Sequence, residues 1–113
     1  LQKWEVKGSM GKGETWTGSK VEEKSRTQID EPSMFRVLMH NDDYTTMEFV
    51  VDVLEAVFHK TPPEANQIML NIHMRGVGTC GIFPFEIAET KVAKVHRMAK
   101  QEGFPLRCSL ERA

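Results

Sequence analysis

No apolar run in this sequence approaches the roughly 20 residues that a membrane-spanning helix needs. Nor does any stretch join basic residues to an apolar core in the manner of a secretory leader. Neither sign of charge dominates: 15 Lys and Arg stand against 16 Asp and Glu. There is thus no basic field to hold nucleic-acid phosphates, and neither a nucleic acid nor a membrane is expected as a partner. Cysteine is scarce. Cys80 and Cys108, both within apolar strand-like segments and without Cys-x-x-Cys spacing, predict free thiols in a reducing cytoplasm rather than a disulfide framework. Metal-binding patterns are missing as well. His40, His59, His73 and His96 show no HxxxH or paired Cys/His spacing, and Asn41-Asp42-Asp43 lacks the further ligands of a calcium loop, so no metal or other cofactor is expected.

Aliphatic residues are nearly missing from positions 1–33, which hold six basic and six acidic side chains among many Gly, Ser and Thr. Such a segment cannot bury enough apolar surface to offset its ordering entropy, and residues 10–33 are predicted to be a flexible extension. Both tryptophans, Trp4 and Trp16, fall in the first 33 positions; chance would account for them, and so would a contact made by the tail. The chain opens on Leu1, and "KGSMGKG" sets a Gly-Ser pair before Met10. That is the look of a fusion junction, so residues 1–9 are read as a vector-derived or fused peptide and 34–113 as the compact domain.

What is present from Met34 onward is periodic. "MFRVLMH" predicts a short, largely buried strand. Thr45 and Glu48 have capping-box spacing, and Phe49, Val50, Val53, Leu54, Val57 and Phe58 then recur as one helical apolar stripe. "TPPE" opens a second helix with Thr61 as N-cap, proline in the first turn and Glu64 at the third position; Ala65, Ile68, Met69 and Ile72 face inward and Gly76 ends it. "VGTCGIF" predicts a strand weakened or bulged by Gly78 and Gly81. A third helix follows through "FEIAETKVAKVHRMAKQ", with Ala88, Val92, Val95 and Ala99 on one face. After Gly103, "PLRCSLE" alternates Leu106, Cys108 and Leu110 inward as a strand. The order β-α-α-β-α-β over about 80 residues predicts a small α/β sandwich of three helices on a three-stranded antiparallel sheet, too small for a large enclosed active site.

The polar residues leave several chemistries open. Asn41-Asp42-Asp43 sits at a strand-to-helix junction, where such side chains ordinarily bond nearby backbone N–H groups and make a turn. The same residues could form an acid-base pair, and a hydrolase using Asp42, Asp43 and His73 is one reading. It would need an enclosing pocket and a further partner, and no Ser stands in a nucleophile elbow. They could also form a socket for a positive charge. His73 falls in the last turn of its helix, where the dipole favours it, and Met69 and Ile72 would serve as ordinary core.

"VLMHNDDYTTMEFVVDVL", "GIFPFEIAETKVAKV" and the late "GFPLRCSLE" resemble the ClpS family over roughly residues 33–113. These are small bacterial, cytoplasmic adaptors that deliver N-degron substrates to the ClpA unfoldase of the ClpAP protease. The resemblance implies a fold shared with the C-terminal domain of a ribosomal stalk protein. It implies a non-catalytic adaptor that binds the first residue of a polypeptide when that residue is Leu, Phe, Tyr or Trp. Carried onto this sequence, Asn41, Asp42, Asp43 and His73 would receive the free α-amino group and adjacent backbone. Thr45, Met47, Val50, Met69, Ile72 and Leu106 would form the side-chain pocket, with Met69 a gate against β-branched residues. Glu86 and Lys91 would touch the ClpA N-terminal domain, and the tail would be engaged by ClpA during delivery. Thr46 stands where many members have Pro, and Pro84-Phe85 where a hydroxyl cap and a small residue are usual.

The residue types suit that task. A free α-amine, with a pKa of about 7.7–8.0, is mostly ammonium at neutral pH and needs acceptors such as an Asn carbonyl, carboxylates and a neutral His nitrogen. Burying a Leu or Phe side chain contributes about 1.5–3 kcal/mol, and methionine adapts to aliphatic and aromatic ligands alike. Leu1 is itself a residue of the kind such a pocket takes. A flexible tail of this length spans roughly 30 Å, so Leu1 either occupies a neighbouring molecule's pocket or is a remnant of tag cleavage.

Overall fold

The computed structural model describes residues 32–113. Residues 1–9, read above as a vector-derived or fused peptide, most of the predicted extension, and the expectations for Leu1, Trp4 and Trp16 lie outside the described residues. The elements follow the predicted order: β1 (Met34–His40), α1 (Met47–Ala56), α2 (Pro62–Arg75), β2 (Val77–Pro84), α3 (Phe85–Glu102) and β3 (Arg107–Arg112). The sheet is antiparallel in the order β2-β1-β3, with the first strand in the centre.

Alternation along the strands divides the sheet into two faces. Val37 and Met39 of β1, Cys80 of β2 and Cys108 of β3 are buried in one cluster with Val53 and Leu54 of α1, Ala65 and Ile72 of α2, and Ala88, Val95 and Ala99 of α3. Each fully buried aliphatic side chain contributes about 1.5–3 kcal/mol, and no polar or charged side chain is buried among the described residues. On the opposite face Arg36 Nη1 donates to Glu111 Oε2 at 2.6 Å, and His40 Nε2 lies 2.6 Å from Ser109 Oγ. Burial and the neighbouring Arg107 hold the His40 pKa below the ordinary histidine value.

The second helix starts as its sequence predicts. Thr61 Oγ1 accepts from the Glu64 N–H, the Glu64 carboxylate accepts from the Thr61 N–H, and the prolines occupy the first turn. Gly76 ends it at φ 87°, in the left-handed region where a Cβ is costly. The first helix starts differently from the expectation. The N-cap is Thr46, whose hydroxyl accepts from the Phe49 N–H at 3.1 Å, and the Thr45–Glu48 capping box does not form because Asp42 has claimed the Thr45 hydroxyl. In β2 the bulge falls between the two glycines. Val37 pairs with Gly81 and Leu38 with Thr79, leaving Cys80 as the extra residue.

Gly78 serves a different purpose. A Cβ added there would lie 2.7 Å from Ile72 Cγ1 and 3.3 Å from the Ile68 carbonyl oxygen, so its bare backbone allows α2 to pack closely on β2. The third helix begins with no loop at all. Pro84 is both the last residue of β2 and the N-cap of α3, and it supplies no side-chain cap.

Candidate functional site

The loop 41–46 carries the chain from the central strand into α1, beside the C-terminal end of α2. The Asn41 N–H donates to the Gly76 carbonyl at 2.9 Å and ties the two together. Within the loop the adjacent acids have opposite fates. Asp42 Oδ1 accepts from the Tyr44 and Thr45 N–H groups at 2.9 and 2.7 Å, and Oδ2 accepts from the Thr45 hydroxyl at 2.8 Å. Partial burial acts to raise the Asp42 pKa, but the bonds from Thr45 and Tyr44 outweigh it and the net shift is downward. Asp42 is therefore the internal scaffold of the turn. Asp43 is exposed, and neither it nor the side chains of Asn41 and His73 make a hydrogen bond among the described residues.

These groups share one cavity of about 260 Å³, lined by Asn41, Asp42, Asp43, Thr45, Met47, Val50, Met69, Ile72 and His73. Two helices explain the convergence. Met69, Ile72 and His73 lie three and four residues apart on α2 and so share a face, while Met47 and Val50 are likewise three apart at the start of α1. The result is a depression with an apolar side of methionine, valine and isoleucine and a polar end of Asn41, Asp43 and His73. Acceptors predominate at that end, so it suits a ligand that donates and carries positive charge.

The structure brings together nine of the ten candidate substrate contacts. Leu106 is buried at 5% exposure in the same core cluster as Val50, Met69 and Ile72, and is not among the lining residues. Glu86 is exposed in the first turn of α3. Lys91, one turn further on, is half-buried: its Nζ donates to the Val57 carbonyl at 2.7 Å and lies 5.2 Å from the Phe83 ring centroid and 5.9 Å from that of Phe58. Burial and nearby Lys94 lower its pKa. Lys91 thus caps the C-terminal end of α1. Sequence reasoning passed over Gly76 and Gly78 as site residues. Gly76 anchors Asn41 through its carbonyl, and Gly78 sets the depth at which Ile72 forms the cavity wall. The signal for the second was present, since an isolated glycine in a strand marks a close backbone approach.

The chemistry on hand is that of binding. No Ser or Cys lines the cavity, and both thiols are buried. The Cys80 thiol is hydrogen-bonded to Cys108 and desolvated, and both effects push its pKa well up, away from a nucleophilic thiolate. No group of three or more His, Cys, Asp or Glu side chains able to hold a metal ion occurs among the described residues, and no described helix is long and apolar enough to cross a membrane.

Comparison with known proteins agrees with this picture. A model of the family "ATP-dependent Clp protease adaptor protein ClpS" matches residues 30–109. The ClpS adapter of Nitratidesulfovibrio vulgaris (strain Miyazaki F) is 63% identical over 84 residues, covering 74% of this chain and 84% of that protein. The ClpS adapter of Shewanella loihica is 54% identical over 93 residues, covering 82% and 91% respectively. Among solved structures, Agrobacterium tumefaciens ClpS2 bound to L-phenylalaninamide superimposes with a TM-score of 0.71 at 35% identity, over 74% of this chain and 100% of that one. With a matching family model, near relatives that share most of their length and a common fold, the chain belongs to the ClpS family: it is an adaptor of the ATP-dependent Clp protease and not a catalytic enzyme.

Proposed function

We propose that the cavity between the 41–46 loop, α1 and α2 binds the first residue of a polypeptide whose side chain is Leu, Phe, Tyr or Trp, and that the adaptor hands such chains to the ClpA unfoldase of ClpAP in the bacterial cytoplasm. The observation that carries the reading is the cavity's two-part lining: unengaged acceptors at one end and four apolar side chains beyond them. Its volume, about 260 Å³, lies below the roughly 300–1,000 Å³ of sites for drug-sized ligands. One side chain and the start of a backbone are the matching cargo. L-Phenylalaninamide, the ligand of the Agrobacterium tumefaciens relative, has that form: a free α-amine, one aromatic side chain and a capped carboxyl.

In this mechanism the ammonium is received by Asn41, Asp43 and His73, while Asp42 holds the turn that presents them. Charge-assisted bonds to a free α-amine distinguish a true terminus from an internal Leu, and seating the side chain against Met47, Val50, Met69 and Ile72 adds about 1.5–3 kcal/mol, one to two decades of affinity. Met69, close to where Cβ of the first residue sits, rejects Ile and Val by steric clash. Delivery would use the exposed start of α3 around Glu86. Lys91 contributes to that surface chiefly by fixing α3 against the end of α1.

The test is binding of a fluorescent Leu-initiated peptide to the full chain, with the same peptide N-acetylated and a His73→Ala variant beside it. Binding that acetylation abolishes and His73→Ala weakens about ten-fold, the worth of one charge-assisted bond, supports the reading. Equal binding of the free and acetylated peptides would sink it. The hydrolase reading predicts turnover lost in Asp43→Asn; with Asp42 committed to its own turn, the adaptor reading predicts none to lose.

A further inference from the structure

The sheet face turned away from the helices carries side chains placed by strand register. Leu38 of β1 stands between Thr79 of β2 and Ser109 of β3, and His40 stands between Val77 and Arg107. Directly opposed residues have Cβ atoms about 4.5–5.5 Å apart and diagonal ones about 7–8 Å, so His40, Arg107 and Ser109 form one triangle. The His40 ring closes one side of it, with Nε2 2.6 Å from Ser109 Oγ. His40 and Ser109 are half-buried, and Arg107 is exposed.

Charge at this triangle is one-sided. Glu111, the acid on this face, is taken by Arg36 at 2.6 Å, and Arg107 has no ion-pair partner among the described residues. From β2 the facing residues are Val77 and Thr79, neither of them charged. Burial and the field of Arg107 hold the His40 imidazole toward its neutral form. When Nε2–H donates to Ser109, the hydroxyl proton turns outward. Two guanidinium N–H groups and that hydroxyl then make three donors with no acceptor among them. Coming from two positions rather than one plane, they suit a tetrahedral oxyanion, one donor to each terminal oxygen, better than a planar carboxylate.

We propose that Arg107, Ser109 and His40 bind a phosphate group, either free or as the monoester of a small molecule. Arg107 grips two of its oxygens and Ser109 the third. His40 takes up a proton as the anion arrives, because the added negative charge offsets that of Arg107. The residues lie on the sheet face away from α1 and α2, so this site is separate from the cavity described above and does not depend on what that cavity binds.

Inorganic phosphate and phenyl phosphate are titrated into the isotope-labelled full chain at neutral pH, with sodium chloride at matched ionic strength as the control. Amide and histidine-ring signals are followed by nuclear magnetic resonance. Saturable shifts at residues 38–40 and 107–109 are expected, with half-saturation on the order of 1 mM, and the His40 ring should move toward the imidazolium. Arg107 is exposed, so its replacement leaves the core intact. Arg107→Gln should weaken binding about ten-fold or more, and Ser109→Ala about two- to ten-fold. Arg107→Lys should recover only part of the loss, since an ammonium lacks the fork. Tighter binding of phenyl phosphate assigns the site to a monoester whose body rests on Leu38 and Val77; tighter binding of inorganic phosphate assigns it to the free anion. Shifts that chloride reproduces, shifts centred elsewhere, or an affinity that Arg107→Gln leaves unmoved overturn the inference.

Discussion

The starts of α1 and α3 solve the same problem in opposite ways. Both helices follow a strand, yet one is approached through a six-residue loop and the other through none. At α1 the framework of the loop is committed, while the Asn41 and Asp43 side chains stay free among the described residues: Asp42 gathers three bonds from Tyr44 and Thr45, Thr46 caps the helix, and the Asn41 backbone is pinned to Gly76. At α3, Pro84 offers no side-chain cap, and Phe85 and Ile87 are each 44% exposed. Phe85 has an edge-on contact with Phe35, ring centroids 5.2 Å apart. The difference teaches where this small protein needs precision. On the function proposed above, a loop that aims several acceptors at one ligand atom would need to be over-determined, whereas a surface offered to a large partner could be apolar and loosely finished.

Perturbations ranked by expected size put that contrast at risk. Asp42→Ala removes three bonds to a carboxylate, each of a kind worth about 1.5–3 kcal/mol singly and less when half-exposed. A loss of about 2 kcal/mol in urea unfolding is expected, with peptide affinity down about ten-fold because the freed loop must be ordered on binding. The pH dependence has a definite sign. The folded Asp42 pKa lies below its unfolded value, so its contribution is complete above about pH 4 and disappears as pH falls through the lowered pKa. The stability gap between Asp42→Ala and the unaltered protein should therefore close in acid.

Gly76→Ala, at φ 87°, should cost about 1–2 kcal/mol for the left-handed backbone and loosen Asn41 as well. Thr46→Ala should cost about 1 kcal/mol as a lost N-cap. The smallest change is expected at the other helix. Pro84→Ser would gain a cap worth about 1 kcal/mol but free the unfolded chain by a comparable amount. Its net effect should lie within about 0.5 kcal/mol of zero, a margin set by those two opposing terms, and peptide binding should not move. If Pro84→Ser altered peptide binding as much as Thr46→Ala, the contrast between the two helix starts would be wrong.

Much of this was legible in the residues, for reasons that also explain the exceptions. The element order and the α2 capping box follow from local periodicity and spacing, which tertiary packing did not need to override. The Thr45-Thr46 pair was ambiguous by nature. Either hydroxyl could cap, and only the reach of Asp42 back to Thr45 decides it. The β2 bulge was expected at a glycine but falls on Cys80, because pairing on both sides of the sheet's centre fixes the inward-facing residues and leaves the buried cysteine as the extra one. In the site, the family resemblance named the residues and helical spacing accounts for why Met69, Ile72 and His73 converge. Alternation with Cys108 made Leu106 legible as a buried residue, and it is buried, but the cavity lining does not include it.

If the cavity binds polypeptide termini as proposed, the commitment of both Asp42 oxygens to its own loop has a kinetic consequence. Because the acceptors are already arranged before any ligand arrives, association need not wait for the loop to order, and encounter is governed by diffusion and orientation. Differences among first residues then appear in how long each stays rather than in how fast each is captured. For a carrier that must also let go, residence set by the pocket and the ammonium contacts together would decide how quickly it is free to load again.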